Sequence, residues 1–470
     1  MQSIPTEIRQ VISTQMAWHY RLIPVEVSGE EITFYLDSTM DTGAVVAELQ
    51  ILLGQKISCQ SQDTGTITAL LTRYYPRQQG GHSQSSARVG QDSFVESLIK
   101  ESKTLGASDI HLEPYETGSR VRVRMDGQLV ERYTIPQMEY PAIVNKLKIM
   151  ARLDISEKRL PQDGRISFNQ GGEKFDIRVS VLPTLYGEKI VLRILNNDAA
   201  NLDIKQLGFA EDDLFEFTEA IKKPNGIVLI SGPTGSGKTT TLYATLKELN
   251  KTTRNILTIE DPVEYTLEGI NQVQLKEAIG LDFASTLRTF LRQDPDIIMV
   301  GEIRDVDTAQ MAIRAALTGH LVLSTIHTNS AWGIISRLID MGVPAYMVAN
   351  TLNMAVAQRL VRILCPVCKK EEAFEERLLP TSFNIDDLPR FHYEAVGCEH
   401  CFYTGYKGRK AIYEVLTVNE TMQEGIKSSE FSIQNHIKSS QIKLLANQAF
   451  DLIASGQTSI EEVYALLFHN

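Results

Sequence analysis

The sequence has no apolar run long enough to cross a bilayer. Its longest runs, such as Ile227-Val228-Leu229-Ile230 and Ile297-Ile298-Met299-Val300, fall far short of the ~20 residues a spanning helix needs. The first thirty residues contain no basic stretch followed by an apolar one, so no signal peptide is read and a cytosolic protein is expected. Basic residues are in deficit. Lys and Arg number 47 against 58 Asp and Glu, a net charge of −11. That balance disfavours a protein built to grip nucleic-acid backbone, which calls for basic domains. Cysteine is scarce, with five residues at 59, 365, 368, 398 and 401. Four of them form two tight pairs, which is not how a disulfide scaffold is laid out. Repeats and long low-complexity tracts are also missing. What is present is ordinary globular composition, 43% hydrophobic and 22% charged, which excludes a disordered chain. A length of 470 residues exceeds one compact core and implies about two to four domains.

Residues 1–76 read as a small α/β unit. Ile32-Thr33-Phe34-Tyr35-Leu36 alternates like a strand. Asp41 caps a helix with apolar positions Val45, Leu49, Leu52 and Leu53, and Gly54 ends it. Residues 77–91 are polar and glycine-rich, and read as a flexible linker. Residues 92–199 form a second α/β domain. It opens with a helix near 94–105, followed by a hairpin that turns at Asp126-Gly127 and strands at 174–181 and 189–194. Arg120, Arg122 and Arg124 alternate along the hairpin and read as a solvated sheet face. From 200 to 364 short apolar strands alternate with helices, which predicts a parallel sheet. Residues 365–415 carry the cysteine pairs, and 416–470 read as a helical tail.

The parallel-sheet segment holds the chemistry. Gly232-Pro233-Thr234-Gly235-Ser236-Gly237-Lys238-Thr239 matches the phosphate-loop pattern GxxxxGK[ST]. Glycines let the backbone curl so that its N–H groups face phosphate oxygens, and the next helix adds its positive N-terminal end. Lys238 is expected to reach the β- and γ-phosphates of a nucleotide and Thr239 to help hold Mg²⁺. A strand at 227–230 precedes the loop, and Leu242, Leu246 and Leu249 mark a helix after it.

Ligands of an open parallel sheet bind beyond its carboxyl edge. The strand at 256–259 ends in Glu260, Asp261 and Glu264; the one at 297–300 in Gly301, Glu302 and Arg304; the one at 321–326 in His327. Phosphoryl transfer uses such a set: one carboxylate near the metal ion, another on the attacking water, and cations on the developing charge. The competing reading makes these acids helix caps and loop charges. His320 and His327 compete with simple backbone-satisfying roles.

Cys365-Pro366-Val367-Cys368 and Cys398-Glu399-His400-Cys401 are two CxxC knuckles. Four thiolates make a closed tetrahedral site suited to structural Zn²⁺. Free buried thiols are the alternative. Cys59 reads as a small buried apolar residue.

Four stretches then carry a resemblance. Gly232 to Thr239, Thr258-Ile259-Glu260-Asp261-Pro262-Val263-Glu264-Tyr265, Arg292 through Asp305, and Thr318 through Asn329 look like the Walker A motif, aspartate box, Walker B motif and histidine box of the secretion ATPases of type II secretion and type IV pilus assembly. The resemblance extends to Ser108-Asp109-Ile110-His111-Leu112-Glu113 and Asp176-Ile177-Arg178-Val179-Ser180. It implies a RecA-like phosphate-loop core behind a PAS-like α/β second domain and a small N-terminal α/β docking domain, with a zinc-knuckle insert and a helical C-terminus. It implies a hexameric, Mg²⁺-dependent ATPase that works in the cytoplasm, peripheral to the inner membrane, on platform and docking proteins of a pilus or secretion machine. By it, Glu302 is the Walker B acid and Glu264 the general base, with Glu260 and Asp261 in support. Arg178 and Arg193 reach the nucleotide phosphates, and His327 belongs to the histidine box. The tetracysteine site points to an assembly-type member, since retraction-type members lack it. No cyclic-dinucleotide motif is clear. A nucleic-acid-dependent recombinase or helicase and a non-hydrolysing ATP-gated scaffold are the other readings of such a core.

Overall fold

The computed structural model describes all residues except 1–3, 5, 10, 30, 76–93, 171–172, 196–202, 381–382, 384–387, 429–441 and 469–470. The expected linker at 77–91 lies outside the described residues. Among those described, no helix is long and apolar enough to cross a membrane.

The central sheet has seven strands in the order Asn271–Gln274, Ile256–Glu260, Ile297–Val300, Leu321–Ile326, Gly226–Ser231, Leu352–Leu364 and Tyr406–Thr417. All neighbours run parallel except the last pair, which is antiparallel. Strands Gly226–Ser231, Ile256–Glu260, Ile297–Val300 and Leu321–Ile326 are buried along their whole length because both faces are covered. Ile227 and Leu229 face one layer, with the helices Phe283–Phe290, Val306–Leu317 and Ala331–Asp340. Val228 and Ile230 face the other, with Glu211–Lys222 and Lys238–Leu249. The last two strands are not evident in the sequence. Gln358, Arg359 and Arg362 break the apolar run of one, and Lys407, Arg409 and Lys410 that of the other. Residues 406–415, grouped with the cysteine segment in the sequence, therefore pair into the central sheet.

A six-stranded antiparallel sheet covers residues 109–194, in the order Gln128–Ile135, Ser119–Met125, Asp109–Pro114, Gly187–Ile194, Glu173–Thr184 and Gln162–Gln170. Helices Phe94–Thr104 and Tyr140–Met150 cover one face. On the other face the arginine row is not freely solvated. Glu113 pairs with Arg120 at 3.0 Å, Arg122 at 2.8 Å and Lys189 at 3.1 Å, and Arg124 lies 3.5 Å from Asp109. Burial pushes the Glu113 carboxyl up, but hydrogen bonds from Arg122, Lys189 and Arg120 outweigh it and hold it at about 2.

Near the N-terminus, strands Leu22–Ser28, Glu31–Asp37 and Lys56–Gln62 form a third sheet. Asp41 caps the helix Thr42–Leu53 by accepting from Gly43 and Ala44, and Gly54, at φ 65°, ends it. Val45 and Leu49 are buried, whereas Ile51 is 85% and Leu52 56% exposed. Arg9 reaches Glu461 near the C-terminus at 2.8 Å.

Lys148 is fully buried, yet it is a lysine. It donates to Glu188 Oε1 and to the Glu157 carbonyl, each at 2.7 Å, and Glu188 is itself buried. Removing one member strands the other's charge. Glu188→Ala should lower unfolding stability by about 3–5 kcal/mol in urea melts, and the double change Lys148→Met with Glu188→Leu should recover most of it. Equal stability of wild type and single variant would show that the pair is solvated.

Candidate functional site

The phosphate-binding pattern sits where strand Gly226–Ser231 meets helix Lys238–Leu249. Strand 226–231 is flanked on both sides by parallel partners, with Ser231 level with Ile326 and Ala357. The loop therefore leaves from the middle of the sheet edge. Gly237, the helix N-cap, has φ 88°, and a Cβ there would meet Gln358 Nε2 at 2.8 Å. Gly232 has φ 149°, and its Cβ would meet the Gln358 carbonyl at 2.5 Å. Strand Leu352–Leu364 thus shapes the loop from below. Gln358 accepts from Thr241 at 2.9 Å, and Arg359 donates to the Asn329 carbonyl at 2.7 Å.

Lys238 turns back onto its own loop, donating to the Gly232 carbonyl at 2.8 Å and the Pro233 carbonyl at 3.1 Å. Burial, with Arg359 adding to it and Glu302 opposing, lowers its ammonium pKa. The Ser236 hydroxyl is buried without a hydrogen-bond partner. A buried hydroxyl without a partner is costly, so the loop holds a donor ready for an anionic ligand.

A cavity of about 560 Å³ opens over this loop. It suits a small-molecule ligand, for which pockets run to roughly 300–1,000 Å³. Thr234 to Thr240 line one wall. Glu260, Asp261, Glu264, Glu302 and His327 arrive from the neighbouring strand ends, as the parallel order requires.

These acids are in different environments. Glu302 bonds Arg304 and lies 3.3 Å from His327 Nε2. Burial raises the Glu302 carboxyl, but Arg304 and His327 outweigh it and lower its pKa. Arg304 also faces Asp261 at 3.6 Å. Glu264 is paired with Arg178 Nη1 at 3.1 Å, and Arg178 Nη2 donates to the Val263 carbonyl. Glu260 is only 4% exposed, and its carboxylate accepts from Tyr243, from Thr258 at 2.6 Å and from Gln272 at 3.1 Å. Tyr243 in turn accepts from the Glu264 amide at 3.3 Å. Glu260 therefore anchors the loop that carries Glu264, and its lone pairs are already engaged. It lines the cavity with Asp261, Glu264 and Glu302 and is the most enclosed of the four.

The two arginines of the second domain separate. Arg193 lines the cavity and is held by Asp109 at 3.0 Å. Arg178 grips the 263–264 loop instead of lining the cavity. His320 is removed from the site altogether. It precedes the strand that ends at His327, and its Nδ1 sits 2.9 Å from the Ala315 carbonyl. Ser108, which opens one of the resembling stretches, and Arg409, which follows the second cysteine pair, also line the cavity, although neither stands out as a site residue in the sequence. Gln358-Arg359 had a signal: two polar residues within an otherwise apolar run.

The four paired cysteines converge at the base of the 365–405 insert. Sγ separations are 3.9 Å for Cys365–Cys398, 3.7 Å for Cys368–Cys401 and 3.8 Å for Cys398–Cys401. All four sulfurs lie within 4.8 Å of one another. A tetrahedron with metal–sulfur bonds of ~2.3 Å has edges of about 3.8 Å, so the donor set fits one four-coordinate ion. Amides of Gly397 and Gly405 donate to Cys368 and Cys401 at 3.3 Å, stabilising thiolate charge. Cys59 stands apart, half-buried.

Residues 85–465 match the family model described as "Type II/IV secretion system protein". A type IV pilus assembly ATPase PilB of Myxococcus xanthus is 42% identical, covering 98% of this chain and 86% of its own length. A type II secretion system ATPase E of Vibrio cholerae is 46% identical, covering 79% and 74%. Among solved structures, the pilus retraction motor PilT with bound ADP superposes at a TM-score of 0.56 with 27% identity, covering 79% of this chain and 96% of its own. The Legionella pneumophila ATPase DotB superposes at 0.60 with 22% identity, covering 80% and 95%, a likeness of fold.

The loop geometry is testable directly. Gly237→Ala places a methyl group against Gln358 at a left-handed φ and should destabilise the protein by about 1–3 kcal/mol in chemical denaturation. Unchanged stability would mean that the loop relaxes freely.

Proposed function

Because the chain belongs to the Type II/IV secretion system protein family, we propose that it hydrolyses ATP, with Mg²⁺, to power assembly of a pilus or pseudopilus or protein secretion. The observation that carries this reading is the meeting of a complete phosphate loop with acids from two neighbouring strand ends and a histidine from a third over one cavity. Relatives named as pilus assembly and type II secretion ATPases support it.

The loop amides and Lys238 bind the β- and γ-phosphates, and Thr239 faces the metal. Mg²⁺, when bound with the nucleotide, neutralises phosphate charge and orders the γ-phosphoryl group. Thr239 and Glu302 would hold the Mg²⁺ side of the site. Glu264 takes the proton of the attacking water, and releasing Arg178 frees it to do so. Arg193 and Arg409 bring positive charge toward the phosphates from the outer wall. Glu260 acts through Tyr243 to position the 260–264 loop. The four thiolates hold a structural Zn²⁺. A homo-oligomer, hexameric by its resemblance, docked on inner-membrane proteins from the cytoplasmic side, accounts for a motor whose described residues include no membrane-spanning helix.

Purified protein should turn over Mg-ATP. Lys238→Ala should lose nucleotide binding and turnover together. Glu264→Gln should keep binding while turnover falls at least ~100-fold, the scale of general-base loss. Turnover surviving both changes would sink the assignment. For the cysteines, elemental analysis of protein made without chelator should give about one zinc per chain, and Cys398→Ser should lower it. Zinc-free wild-type protein would overturn that assignment.

A further inference from the structure

The residue after the last cysteine does something the knuckle does not need. Phe402 and Tyr403 both have left-handed backbone, with φ 51° and 62°. Consecutive non-glycine residues seldom adopt this. The cysteine turn enforces it: Tyr403 N–H donates to the Cys398 carbonyl at 2.8 Å and Phe402 N–H to the Glu399 carbonyl at 3.2 Å. The turn thereby aims the Phe402 ring away from the knuckle and into the second domain, where it packs against the hydrophobic core of the six-stranded sheet. The Arg132 guanidinium lies over the ring at 5.2 Å, and Arg132 is itself paired with Glu101. Leu105 and Met125 share a small cavity with Phe402.

A second contact lies a few residues on. Asp126, at the hairpin turn of the second domain, accepts from the Gly408 amide at 2.8 Å and faces Arg409 Nε at 3.5 Å. Arg409 lines the large cavity, and so do Ser108 and Arg193 from the second domain. The short stretch 401–409 thus joins a cysteine ligand, the apolar plug, the Asp126 clasp and a wall of the cavity. Contacts between domains of one chain are mobile unless anchored.

We propose that Phe402 and Asp126 form a latch that holds the second domain closed over the nucleotide cavity, so that Phe402 is a positioning residue for Arg193 and Ser108. The proposal rests on the reading of that cavity as an ATP site. Losing a half-buried aromatic and its cation contact shifts a closed–open balance by roughly tenfold.

The test compares full-length wild type, Phe402→Ala, Phe402→Tyr and Asp126→Ala. Hydrogen exchange reads the Gly408 amide, titration with a fluorescent non-hydrolysable ATP analogue reads affinity, and elemental analysis reads zinc. Phe402→Ala and Asp126→Ala should each quicken exchange at 406–410 and weaken the analogue about fivefold or more, with zinc content and exchange at 226–249 unchanged. Phe402→Tyr should restore both. Unchanged Gly408 exchange in Phe402→Ala would overturn the latch, as would faster exchange with wild-type affinity. If the wild type bound no analogue, the ATP reading would fall while Gly408 exchange still judged the latch.

Discussion

Register in the central sheet governs the site. Strand 226–231 lies parallel between 321–326 and 352–364, and Val300 is level with Ser324. Because all inner strands run one way, their carboxyl ends share one edge, and the groups just beyond them meet there. Moving one strand by a single residue would swap its buried faces, which the two apolar layers forbid. The phosphate loop, Glu302 and His327 are therefore placed by hydrophobic packing that lies well below them. Chemistry at the edge is held in position by Ile227, Val228 and their neighbours in the interior.

Much of this was legible in sequence because it is local. A phosphate loop declares itself by glycines at fixed spacing, and apolar strands followed by acids declare a sheet edge. The cysteine pairs were legible for the same reason. Long-range partners were not. Arg178 and Glu264 lie in different domains, and nothing in either neighbourhood foretells their pairing. Glu260 and Glu264 look alike in sequence, yet one is enclosed by Tyr243, Thr258 and Gln272 while the other is paired with Arg178 from the second domain. The strands at 352–364 and 406–417 were hidden because polar residues that serve the phosphate loop and the cavity interrupt their apolar pattern. The arginines on strand 119–125 were hidden as well, since an ion-pair ladder and a solvated face have the same alternation.

The chain as a whole carries a net charge of −11, yet cations are concentrated at the site. Lys238, Arg193, Arg304 and Arg409 gather around the cavity, but most of them are occupied by acids: Arg193 by Asp109, Arg304 by Glu302, Arg409 by Asp126. The site is thus close to locally neutral as it stands. An arriving polyphosphate meets cations that are already paired, and one of those pairs, Arg409 with Asp126, joins the core to the second domain.

The antiparallel pairing of 352–364 with 406–417 makes everything between them the tip of one long hairpin. The cysteines close that hairpin at its neck, 365 and 368 on one arm and 398 and 401 on the other. Beyond the neck the chain does not hang free. Leu378, Leu379 and Phe383 are buried in the same apolar layer as the helix Leu445–Ala454, with the Phe383 ring 5.6 Å from that of Phe450. Rewriting the tip therefore means repacking a layer of the core, so its apolar positions are as constrained as those of the sheet it covers.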